Sequence, residues 1–158
     1  MEINVLFEES LETYLEEDWL ESVTGQVLIA ENIEKKVELS LVLVDQERIR
    51  QLNSSYLGRD EPTDVLAFPM LPEQSGKDIA PFMTPPDEIE HLGEVIISYP
   101  QAVIQAEEHH HSVRREIAIL IIHGVLHLLG YEHDKPELER DMRAREVEIL
   151  SYIEGGLE

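Results

Sequence analysis

The chain has no cysteine among its 158 residues, which excludes a disulfide framework and any thiolate metal site. It is poor in positive charge: 12 Lys and Arg stand against 34 Asp and Glu, a net charge of −22. A field of that sign repels a phosphate chain at long range, so a nucleic-acid reading needs a local source of positive charge. Long apolar runs are missing too, and nothing approaches the roughly 18 consecutive apolar residues of a membrane span. Met1 to Phe7 offer neither a basic stretch nor an apolar core of signal-peptide length. No secretory signal is therefore expected, and a cytoplasmic location is.

Against these absences stands one concentrated stretch. His123 and His127 lie four residues apart in an apolar run that extends from Ile117 to Leu129. On a helix that spacing stacks the two imidazoles on one face. Gly130 suits a left-handed helix end, after which the chain can fold back and bring His133 towards the pair. Three converging imidazoles make a ligand set for one Zn²⁺ ion at about 2.0–2.1 Å per nitrogen, and a three-ligand zinc keeps a position for water or substrate. One histidine on such a helix would read as a satisfied core residue. Three would not, because each left unpaired in an interior costs roughly 1–3 kcal/mol. Nickel, copper and iron accept the same donors. Glu132 and Asp134 flank His133 and are candidates to orient a ligand ring by accepting its second N–H; Asp134 serves equally well as the cap of a following helix. His109, His110 and His111 read as a polar connector, since consecutive residues diverge on a helix.

The remaining pattern predicts a single domain over 1–158 of the α+β class: a roughly four-stranded mixed sheet packed with about five helices, the histidine helix buried at the centre. Residues 2–8 alternate as a strand, and apolar residues from Ser10 to Ala30 recur at helical spacing. Lys36 to Val44 is the clearest strand, exposed on one face at its start and buried at its end. Asp45 caps a short helix, residues 56–63 form a turn, and Asp64 to Phe68 is a strand closed by Pro69. Residues 69–92 carry prolines 69, 72, 81, 85 and 86 and no periodicity, which predicts a mobile loop on the active-site side. Gly93 to Ser98 is a strand, and Pro100 opens a helix to about Glu108. The histidine helix runs from Ser112 to Leu129, and Asp134 and Pro136 open a last helix with Leu138, Met142, Val147, Leu150 and Ile153 inward.

The spacing H-x-x-x-H-x-x-G-x-x-H is that of the metzincin zinc site, but Gly124 stands where those proteases carry their glutamate base. The stretch instead resembles the signature of the YbeY family, bacterial metal-dependent endoribonucleases that mature ribosomal RNA. Asn53 to Pro69, with its Pro62-Thr63-Asp64-Val65-Leu66 run, resembles that family's other hallmark, and Leu92 to Ser98 a third block. The resemblance implies a zinc-dependent, single-strand-specific endoribonuclease in ribosomal RNA maturation and ribosome quality control, partnered by the small subunit or its proteins, with no nucleotide cofactor. It also implies an arginine directly after Tyr56 and a serine after Val65-Leu66. This chain has Leu57 and Ala67 there. Arg59, two positions on, is the only cation in the turn and the candidate catalytic replacement, since a guanidinium grips phosphate bidentately.

Two other classes remain open. An acidic surface suits basic ribosomal proteins, as in a metal-stabilised assembly factor with little nuclease activity. The metzincin-like spacing suits a metallopeptidase, against which the missing glutamate counts. Candidate sources of the positive patch are Arg48, Arg50 and Arg59, then Arg114 and Arg115, then Arg140, Arg143 and Arg145; their alternative is ordinary pairing with neighbouring acids.

Overall fold

The structure is a computed structural model that describes residues 1–9, 11, 13, 15–33, 36–69, 89–131 and 135–153. Its elements are β1 (Glu2–Phe7), α1 (Glu17–Ala30), β2 (Val37–Val44), α2 (Gln46–Leu57), β3 (Val65–Pro69), β4 (Glu90–Ser98), α3 (Tyr99–Glu108), α4 (Val113–Leu128) and α5 (Pro136–Ile153). The class is α+β, with one four-stranded mixed sheet in the order β1-β2-β4-β3. β1, β2 and β4 run parallel, and β3 lies antiparallel along the edge of β4.

Helix α4 is the buried element the histidine pattern predicts. Ile117, Ala118, Ile121, Ile122, Val125 and Leu126 are each at most 1% exposed. β-Branched residues lose up to about 0.7 kcal/mol of helix propensity each. Burying one gains roughly 1.5–3 kcal/mol, so packing decides the conformation. The helix starts at Ser112, whose Oγ accepts from the Arg115 N–H at 3.1 Å. It ends in a Schellman arrangement: the Tyr131 N–H donates to the Leu126 carbonyl at 3.0 Å and the Gly130 N–H to that of His127 at 3.1 Å. Gly130 has φ 106°, the positive value that the missing Cβ permits.

Several boundaries differ from the sequence pattern. The helix expected from Ser10 begins at Glu17, because the Leu15 N–H turns back onto Thr13 Oγ1 at 3.1 Å and a side-chain turn of that kind competes with helix. The turn expected from residue 56 begins at Gly58, in the left-handed conformation with φ 71°; Tyr56 and Leu57 complete α2. Residues 70–88 of the expected loop lie outside the described residues. Its last part, from Glu90, is strand, since Glu90 and His91 pair with Val37 and Glu38 before a bulge re-registers the ladder at Gly93. Gly93, at φ 130°, lies so close to β3 that a Cβ would stand 2.2 Å from the Phe68 carbonyl oxygen. In α5 the inward face is Met142, Ile149 and Ile153, while Val147 is 65% exposed. The helical repeat from Met142 passes through 146 and 149, not 147.

Candidate metal centre

His123 and His127 stand one turn apart on α4 with ring centroids 4.7 Å apart and planes at 77°. Both are half-buried. They lie on the wall of a cavity of about 630 Å³, opposite the segment that joins α2 to β3. The i,i+4 stacking expected of the sequence is therefore present, and it faces open space. His133, Glu132 and Asp134 lie outside the described residues.

A partner invisible to the sequence pattern sits behind His123. Its Nδ1 is 3.4 Å from Glu146 Oε1, on α5. A carboxylate on one ring nitrogen fixes tautomer and orientation and raises the ring's basicity as a ligand. Glu146 follows Met142 by four residues, a spacing that places it on the inward face of α5 without naming the residue it meets.

Gly124 explains itself by packing. A Cβ there would lie 2.5 Å from Val95 Cγ1, and Val95 is fully buried in the middle of β4. The position that carries the base in metzincins is here pressed against the sheet, where a glutamate has no room.

The cavity's other wall is shaped by Asn53, which is 3% exposed. Its Nδ2 donates to the Glu61 carbonyl at 2.9 Å, and its own carbonyl accepts from the Arg59 N–H at 3.3 Å. One buried residue thus clamps both ends of the turn that presents Arg59 to the cavity. Among the described residues Arg59 makes no ion pair. Asp60, one of its expected partners, is bound by Arg50 instead, beside Glu47. Asp64, the other, accepts from the Val65 N–H at 2.7 Å and from Gln105 Nε2 at 3.3 Å. Leu57 and Ala67 also line the cavity.

Three of the remaining candidate cations are engaged elsewhere. Arg143 pairs with Glu139 at 2.9 Å, Arg145 with Glu31 and Glu148, and Arg114 stacks on Trp19 at 5.0 Å from the ring centroid. Arg59 is the one arginine or lysine among the described residues that line the cavity. Arg145 holds the fold together instead. With Tyr131, whose hydroxyl donates to Glu31 Oε1 at 2.9 Å, it ties the turn after α4 to the end of α1 and to α5. Burial, reinforced by the Glu31 carboxylate, pushes the Tyr131 hydroxyl above its ordinary pKa.

The histidine tripeptide is the connector between α3 and α4, but its side chains do not diverge as expected. Helix α3 stops at Glu108, and His110 takes a left-handed backbone with φ 58°. The chain therefore turns between His109 and His111, and both rings converge on Glu116 in the first turn of α4. His109 Nδ1 and His111 Nε2 lie 3.1 and 2.6 Å from Glu116 Oε1. Gln105 Nε2 donates to Oε2 at 2.8 Å. Burial opposes the Glu116 charge, but the hydrogen bonds from His111, His109 and Gln105 prevail, and its carboxyl is held below the usual pKa. Consecutive histidines diverge on a helix, and here the helix ends before they begin.

A family model described as endoribonuclease YbeY matches residues 4–154. An endoribonuclease YbeY of Dehalococcoides mccartyi is 45% identical over 160 residues, covering 100% of each chain. One of Geobacillus thermodenitrificans is 43% identical over 151 residues, covering 95% of this chain and 90% of its own. A solution structure of a Thermotoga maritima protein superposes with a TM-score of 0.63 at 25% identity, over 97% of this chain and 89% of that one. The histidine helix, the Pro62-Thr63-Asp64 turn and these full-length matches agree: the chain belongs to the endoribonuclease YbeY family.

Proposed function

We propose that the chain is a zinc-dependent endoribonuclease that hydrolyses phosphodiesters of single-stranded RNA during ribosomal RNA maturation in the cytoplasm. His123, His127 and His133 are the ligands of one Zn²⁺ ion. The observation that supports this best is the pair of stacked, half-buried imidazoles facing a cavity of about 630 Å³ with Arg59 on its other wall. The donor chemistry fits zinc: imidazole nitrogens on a rigid helix, one ring backed by a carboxylate. When bound, the ion supplies Lewis acidity towards a phosphoryl oxygen and acidifies water to a pKa of about 7.

The chain's own groups do the rest. Glu146 holds the His123 ring in orientation. Arg59 grips a non-bridging phosphate oxygen, standing in for the arginine that family resemblance places at Leu57; a guanidinium does this bidentately from either position. Asn53 keeps the Arg59 turn in place. Gly124 offers no base, which favours phosphodiester over peptide chemistry. The net charge of −22 makes binding depend on Arg59 and the ion, so affinity for RNA is modest and the ribosomal small subunit or one of its basic proteins supplies the rest of the contact. No helix among the described residues is long and apolar enough to cross a membrane.

The test is cleavage of structured and single-stranded RNA by tag-free protein, with and without chelator, beside His127→Ala and Arg59→Ala. Cleavage lost with chelator and with His127→Ala supports the nuclease. No cleavage together with salt-sensitive binding to a basic ribosomal protein points to an assembly factor instead. Digestion of casein points to a peptidase.

A further inference from the structure

We propose that His109, His111 and Glu116 form a second divalent-cation site, separate from the centre on His123 and His127 and opening on a neighbouring cleft that His123 also lines. His109 Nδ1, His111 Nε2 and a Glu116 oxygen lie within 4.8 Å of one another. Two imidazoles and one carboxylate are the protein ligands of a catalytic zinc class. Bonds of about 2.0–2.1 Å in a tetrahedron separate neighbouring donors by about 3.3 Å. The present His-to-Glu116 spacings of 3.1 and 2.6 Å, with all three atoms within 4.8 Å of one another, come to that when the rings draw back slightly from Glu116 and close on each other. His109 has room to move, its side chain being 56% exposed, whereas Glu116 is 3% exposed and fixed. Gln105 Nε2, on Glu116 Oε2 at 2.8 Å, already occupies the role of an outer partner that orients a ligand carboxylate.

The surroundings point independently to a cation. The cluster borders a cleft of about 360 Å³ whose lining includes Asp64, Glu108, Glu146 and His123 but no lysine or arginine among the described residues. Unbalanced carboxylates in a walled cleft concentrate cations. Asp64, Val65 and His123 line both this cleft and the larger cavity, so an ion here adds positive charge beside the RNA-facing wall. The donor set of two nitrogens and one oxygen selects zinc, cobalt or nickel over magnesium, calcium and manganese, which favour oxygen ligands.

The experiment is titration of metal-stripped, tag-free full-length protein with Co²⁺, read by equilibrium dialysis and by the visible spectrum. The variants are Glu116→Gln, His109→Ala and the double substitution His123→Ala/His127→Ala, each checked for helical content. His109 is exposed, so its variant folds even if Glu116→Gln does not. Two equivalents are expected in the unaltered chain, one in His109→Ala and in Glu116→Gln, and one in the double variant. The affinity lost with His109 or Glu116 should exceed the roughly 10–100-fold that follows loss of an outer-shell partner. One equivalent that survives His109→Ala and Glu116→Gln but goes with His123 and His127 overturns this site and leaves the proposed centre standing. One equivalent with the opposite dependence supports this site and overturns that centre.

Discussion

Gly124 and Val95 meet so closely that a single added carbon cannot fit: a Cβ on Gly124 would lie 2.5 Å from one Val95 methyl and 3.1 Å from the other. That contact seats the histidine helix against the centre of the sheet. It also explains why the residue after His123 is not the acid of a protease. Gly124→Ala gains about 1 kcal/mol of helix propensity but forces overpacking that costs typically 1–3 kcal/mol. The expected net effect is a loss of up to about 2 kcal/mol in urea unfolding. Combining it with Val95→Ala should be less destabilising than the sum of the two single changes, the sign of direct coupling. Additive behaviour would mean the helix does not press on the sheet there.

Glu146 should matter more to metal than to the fold. Its carboxylate lies 3.4 Å from His123 Nδ1. Glu146→Ala is expected to weaken Zn²⁺ binding by roughly 10–100-fold, while the apo protein loses no more than the roughly 0.5–1.5 kcal/mol of one hydrogen bond. Competition against a chromophoric chelator reads the first and thermal unfolding the second.

How much of this was legible in the residues depends on whether a signal was local. Asp45, Ser98 and Ser112 cap helices as their residue types predict, each accepting from the N–H three residues on. Alternation in β2 and the apolar run of α4 gave the buried core directly. The misses were tertiary or conformational. A left-handed His110 is not a pattern, so the convergence of His109 and His111 on Glu116 could not be read from three histidines in a row. The early start of β4 depends on partners in β2, and Glu146 meets His123 only once α5 has packed across α4.

Arg59 should act on phosphate. Arg59→Ala is expected to lower cleavage of single-stranded RNA by roughly ten- to a hundredfold, the worth of about 1.5–3 kcal/mol for a hydrogen bond to a charged group. It should leave zinc content unchanged and flatten the salt dependence of RNA binding by about one counterion. Leu57→Arg, on the same cavity wall, should restore most of the loss in that background. A full-activity Arg59→Ala would place the phosphate contact elsewhere.

The clamp on the turn after α4 gives a stability prediction. Tyr131→Phe removes the hydroxyl that donates to Glu31 and leaves Arg145 in place on the same carboxylate. A loss of about 0.5–1.5 kcal/mol is expected, checked by thermal unfolding. Arg145→Ala should cost more, because it strips Glu31 and the Ala30 carbonyl of a shared donor.

The most direct test of the central claim is cleavage of a labelled single-stranded RNA by tag-free protein that has been stripped with chelator and then reloaded with Zn²⁺, run beside His127→Ala taken through the same cycle. Activity that vanishes on stripping, returns on reloading and never returns in His127→Ala is the predicted result. Undiminished cleavage by folded His127→Ala would contradict a reaction centred on the stacked histidines.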